Sequence, residues 1–162
     1  MEAIITSLEL ADYIRQLSRE EYRTELNMTQ VNKLLYICYG LYIAITGQPL
    51  FTDDTPKAWP FGPVFPRVYK RFLSSSGVAS QRTKEAVVGN PMVKSVVDFT
   101  VKNFHSWTAK RLSEWSHDEA GPWYRTAYAN GGEKPRWNER IPDEMIKEYF
   151  GTNRKGDGGQ VQ

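Results

Sequence analysis

The chain has 162 residues, of which 40% are hydrophobic and 25% charged. That is enough apolar material for one core of ordinary composition, and it excludes a chain disordered throughout. A net charge of +2 is too small to mark a nucleic-acid binder by itself, and a single cysteine excludes an internal disulfide.

The opening residues, MEAIITSLEL, lack a basic start and a long apolar run, so no secretory signal is expected and the cytoplasm is the expected location. The spacing of Leu8, Ala11, Tyr13, Ile14 and Leu17 predicts a helix over 6–19. Thr6 or Ser7 is its N-cap, and Glu9 stands three residues after Thr6, as a capping box requires. Polar residues 20–28 either extend this helix or link it to the next.

Residues 29–47, TQVNKLLYICYGLYIAITG, are apolar on nearly every helical face and carry no charge past Lys33. Such a helix must be covered on most sides by neighbours. Thr29 is the expected cap at its start and Gly47 the left-handed residue at its end, with Pro49 forbidding continuation. The run is about as long as a membrane span, but its three tyrosines, threonine, asparagine and lysine argue against lipid.

Four prolines and an Asp53–Asp54 pair fall within residues 48–63. Two extended pieces, 50–51 and 58–61, with a turn at 53–56, predict a small β hairpin over about 49–61. A helix over 63–74 then starts at Pro63 or Pro66, with Phe65, Val68, Tyr69 and Phe72 inward and Arg67, Lys70 and Arg71 outward. Residues 75–90 read as a loop with a short strand at 86–88. For 91–104 the valines favour strand, but the length favours helix. Short helices follow over 108–115, capped by Ser106 or Thr108, and over 122–128. A loop covers 130–140. A last helix spans 142–150, with Asp143 and Glu144 where the helix dipole favours them. Residues 151–162, with four glycines, read as a disordered tail. The expected class is mainly α: one compact helical domain over 1–150 around a buried central helix, with a small β hairpin.

No catalytic motif emerges. His117, Asp118 and Glu119 are adjacent and so point in different directions on a helix, which leaves a hydrolase reading weak; no zinc-type spacing occurs. Cys38 lies inside the central helix, as an inert buried thiol would. No nucleophile elbow or phosphate-cradling loop is present. No catalytic residue, metal or cofactor is therefore expected. Arg67, Lys70 and Arg71 lie at i, i+3 and i+4 and could meet phosphates, which keeps a DNA-binding operon autorepressor as the alternative. Two proline-aromatic corners carry more information. The first, WPFGPVFP at 59–66, sets three rings on a stiff backbone; the second is GPWYR at 121–125. They make Trp59, Phe61, Phe65, Trp123, Tyr124 and Arg125 the candidate protein contacts, although Phe61, Phe65 and Trp123 could equally close the core.

Taken together, KLLYICYGLYIAITGQPLF at 33–51, AWPFGPVFPRVY at 58–69, LSEWSHDEAGPW at 112–123 and IPDEMIKEYF at 141–150 resemble the Panacea domain family. This family includes SocA-like antitoxins and phage-associated GepA-like proteins. The resemblance runs from about Asp12 to Phe150 and makes Lys33, Tyr36, Gly62, Pro63, His117, Glu119, Gly121 and Pro122 the family-motif residues. Pro60 stands where relatives often have a basic or polar residue, and Ala120 is an extra residue before Gly121. The resemblance implies a non-enzymatic antitoxin encoded beside its toxin in bacteria, phages or mobile elements. Its partner is then a cognate toxin protein, neutralised by direct binding or, as in the SocA-like branch, handed to a ClpXP-type protease.

Overall fold

The computed structural model describes residues 3–129 and 134–157, with side chains described as far as residue 152. The expected central helix is α2, Met28–Thr46, and every residue from Val31 to Leu41 is buried. Its cap is Asn27 rather than Thr29. Asn27 and Gln30 form a reciprocal capping box, with Gln30 N donating to Asn27 Oδ1 at 2.9 Å and Asn27 N to Gln30 Oε1 at 2.8 Å. This satisfies two backbone donors at once, so it outcompetes a single threonine further in. Gly47 ends the helix at φ 78°, as expected.

Around α2 pack α1 (Ser7–Tyr22), α5 (Pro91–Phe104), α6 (Ala109–Ser116) and α8 (Asp143–Asp157). Helix α1 begins with the anticipated Thr6–Glu9 capping box. Residues 20–22 extend it and 23–27 form the link. Helix α5 is helical despite its valines, because Val93, Val96, Val97, Val101 and Phe104 make one buried stripe. Helix α3 (Pro66–Arg71) runs into a 3-10 turn at Phe72–Ser74. Helix α7, Pro122–Ala127, starts on a proline as expected.

Four expectations need correction. Residues 75–90 are not a loop with a terminal strand, since α4 occupies Gln81–Val88. Ser80 caps it by accepting from Thr83 N at 3.1 Å, while only Thr83 and Val87 are buried. Two inward positions are too few to show a helical period in sequence. The hairpin lies one step later than expected: β1 is Lys57–Trp59, β2 is Gly62–Val64, and the turn is Pro60–Phe61. Leu50 and Phe51 are core residues instead, with the Phe51 ring edge-on to Tyr39 and Phe65, 5.3 Å from each. A third strand, β3 (Glu139–Arg140), rises from the expected loop and gives the order β2-β1-β3. Its partner β1 is about eighty residues away, so no local pattern could announce it. Helix α8 also runs past Phe150 to Asp157. Residues 151–157 of the expected tail thus continue a helix anchored by buried Ile146 and Phe150, and residues 158–162 lie outside the described residues. No described helix is long and apolar enough to cross a membrane.

Candidate functional site

The β1–β2 hairpin is held against the helices by its backbone. Lys33 Nζ donates to Pro63 O at 3.0 Å, and Phe65 N donates to Asn32 Oδ1 at 2.9 Å. From the other side the Trp123 indole donates to Trp59 O at 2.7 Å. Gly62, at φ 116°, lets the strand come this close: a Cβ there would lie 2.5 Å from Ser116 Oγ and 2.7 Å from Lys33 Cε. Gly62→Ala is therefore expected to cost about 1–3 kcal/mol from positive φ and overpacking. Thermal melting checks this, and an unchanged midpoint would contradict the close approach. Behind the hairpin His117 stacks on Trp123, with ring centroids 4.0 Å apart and planes at 14°. Burial, then the nearby Lys33 charge, hold His117 below the usual imidazole range. Burial alone takes the Lys33 ammonium from 10.5 down to about 7.

Anchored in this way, the hairpin presents its tip to solvent. Phe61 is 73% exposed at the turn. Trp59 is half-buried, edge-on to Tyr69 at 4.9 Å, and its indole donates to Asn138 Oδ1 at 3.1 Å. Between the tip and the first turns of α2 lies a groove of about 390 Å³, lined by Trp59, Phe61, Tyr69, Asn32 and Lys33 among others. Aromatic side chains and the buried Lys33 thus line one concavity.

The antitoxin SocA-like, Panacea domain model matches residues 31–124, more than half of the chain. The chain belongs to the Panacea domain family. It is 30% identical to Antitoxin SocA of Caulobacter vibrioides (strain NA1000 / CB15N) over 133 residues, covering 74% of this chain and 69% of that protein. No solved structure matches it.

The Panacea segment contains the whole junction just described, from Lys33 through Gly62 and Ser116 to Trp123. The predicted contact residues divide within it. Trp59 and Phe61 share the groove. Phe65 is fully buried, 5.7 Å from the Tyr39 ring, and Trp123 is only 4% exposed, so both close the core. Tyr124 stacks on Tyr128 at 4.7 Å, and Arg125 is exposed with Glu148 at 4.0 Å. Of the family-motif residues, Tyr36 is a core ring against Phe150, Pro122 is buried at the start of α7, and Gly121 approaches Asp118 O. Glu119 is exposed. Asp118 accepts from Tyr149 OH at 2.9 Å and Ala120 N at 3.0 Å, which makes it a turn-former beside His117.

Among the described residues no group of three or more His, Cys, Asp or Glu could hold a metal ion. The basic stripe is largely neutralised. Arg67 pairs with Asp53 at 3.4 Å and Arg71 pairs with Asp12, leaving Lys70 as the member without an ion pair among the described residues. Sequence reasoning does not find Asn32, Tyr69 and Asn138 as site residues. The spacing of Tyr69 places it inward, and only the tertiary fold turns it toward Trp59.

Proposed function

We propose that this Panacea-family chain is an antitoxin, acting without catalysis in the cytoplasm, that neutralises a cognate toxin by binding it directly. Residues 1–150 would act as one unit, with the hairpin tip as the contact. The family and the name of the relative support the antitoxin role. The observation that carries the contact is Phe61, a large ring 73% exposed on a backbone anchored by Lys33, Asn32 and Trp123. A rigid ring loses little entropy on binding, and exposed aromatic anchors are the commonest source of interface energy.

The test expresses the product of the adjacent gene alone and with this chain. The adjacent product alone should arrest growth, and the wild-type chain should restore it and co-purify with it. Phe61→Ala should weaken the complex by about 1–3 kcal/mol, roughly a five- to 150-fold loss of affinity, without changing the melting temperature. A harmless neighbour, or full rescue and affinity in Phe61→Ala, would sink the reading. Comparing toxin half-life in cells with and without ClpXP separates direct inhibition, which leaves it unchanged, from delivery to a protease.

A further inference from the structure

Lys33 is the least expected residue in the groove. It is 1% exposed, yet it lines the cavity, and its ammonium has three donors. One donor goes to Pro63 O. Among the described residues no carboxylate comes within ion-pair reach of it. The groups packed around it are the backbone of Gly62 and Pro63 from β2, Ser116 from the end of α6, and His117 just beyond, which burial keeps toward its neutral form. Ser116 Oγ is already committed as a donor to Ser113 O at 2.8 Å. A buried cation with one neutral acceptor is costly, and a neutral amide could hold Pro63 O more cheaply. What an ammonium adds is a charge, held at the buried side of a groove that Lys33 lines together with Trp59, Phe61 and Tyr69.

We propose that this groove takes a carboxylate side chain carried on an apolar or aromatic segment of a protein partner, with Lys33 Nζ as its counter-charge. The proposal rests on the toxin-binding reading and names the chemistry the partner must bring. Charge complementarity selects the anion. The aromatic rim selects its apolar flank, because the groove offers rings, not further cations, on either side of Lys33. A nucleic-acid strand fits less well. It needs several free cations in a row, and Arg67 and Arg71 on the neighbouring helix are held by Asp53 and Asp12. Entry of the carboxylate converts a poorly solvated ammonium into a paired one, so binding strengthens where Lys33 carries its proton.

The site can be probed with 3-phenylpropionate and its neutral analogue 3-phenylpropanol, followed by NMR on the full chain. At pH 6 the carboxylate should bind at least about tenfold tighter than the alcohol, shifting the Trp59 indole resonance. The preference should fade at pH 9, and Lys33→Met should abolish it, whereas Phe61→Ala should weaken both probes. In the wild-type protein the Lys33 13Cε titration should move upward when the carboxylate is present, a readout that needs no variant to fold. Equal affinities for the two probes, an unmoved Lys33 titration, or tighter capture of inorganic phosphate than of the carboxylate would each overturn the proposal. Loss of toxin rescue in Phe61→Ala without any carboxylate preference would overturn it and leave the toxin-binding reading standing. A carboxylate preference beside a harmless adjacent gene product would keep the site and remove the antitoxin role.

Discussion

Phe150→Ala is expected to destabilise the fold by about 3–5 kcal/mol, well beyond the cost of substituting Gly62 under the hairpin. The ring is fully buried and lies edge-on to Tyr36 at 5.5 Å, Trp115 at 6.2 Å and Tyr149 at 5.6 Å. It also fills the hole left by Gly40: a Cβ on Gly40 would sit 2.3 Å from Phe150 Cδ2 and Cε2. The missing side chain on α2 is therefore what lets α8 lie against it. Gly40→Ala alone should gain about 1 kcal/mol of helix propensity and lose more to the clash, for a net loss of about 1–3 kcal/mol. The three neighbouring rings leave Phe150 little room to swing aside. In the double variant the new methyl occupies part of the cavity, so the two losses should fall short of their sum by at least about 0.5 kcal/mol. Urea unfolding of the four proteins measures this. Strict additivity would mean that the two residues do not share a contact.

The same pair shows which parts of the fold could be read in advance. Helix α2 is legible because its burial is written in consecutive residues. The capping box of α1 and the Gly47 stop are legible because capping depends on a few neighbours. Gly40 can be seen as a point of close approach, but its partner cannot, since Phe150 lies far along the chain on a helix with an independent period. Strand β3 escapes for the same reason, since Arg140 pairs with the distant Lys57, whereas the phase of the hairpin escapes because Trp59 pairs with Gly62 through backbone bonds that no side-chain pattern records. Helix α4 escapes because two inward residues make no stripe. At the candidate site the prolines and rings of 59–66 mark Trp59 and Phe61 as an aromatic corner, and the fold sets both on one groove. The inward turn of Phe65, four residues after Phe61, is legible instead from its helical spacing with Val68 and Phe72. In sequence Lys33 is the last charge before the apolar run. Its spacing is equally consistent with a solvated first turn, and only the return of Gly62 and Pro63 over it makes it a buried charge.

That burial has a pH signature. Lys33 sits at about 7 in the folded chain, against an ordinary 10.5 that the unfolded chain keeps. Between those values the unfolded state holds a proton that the native state lacks, so stability rises with pH. The contribution is fully present above about pH 10.5 and is lost as pH falls through 7, a swing of roughly 5 kcal/mol at about 1.4 kcal/mol per pH unit. From pH 7 to pH 9 wild type should gain about 2 kcal/mol relative to Lys33→Met, whose side chain does not titrate. Other groups move over or near this range. His117, held low by burial and by the Lys33 charge, favours the native state as pH rises through its own lower range. The buried Cys38 thiol, pushed up to about 12 from 9.0, opposes it above about pH 9. Cys38 is present in both proteins, so its effect cancels in the difference. The difference at any single pH does not test the argument, because methionine also leaves Pro63 O without its donor at a cost of about 1–3 kcal/mol. That offset is nearly constant with pH, so the divergence of the two profiles carries the result. Urea midpoints at pH 7, 8 and 9 suffice to measure it. Parallel profiles would show that Lys33 keeps its proton throughout the folded state, and would mean that the ammonium is better solvated than its place beneath the hairpin allows.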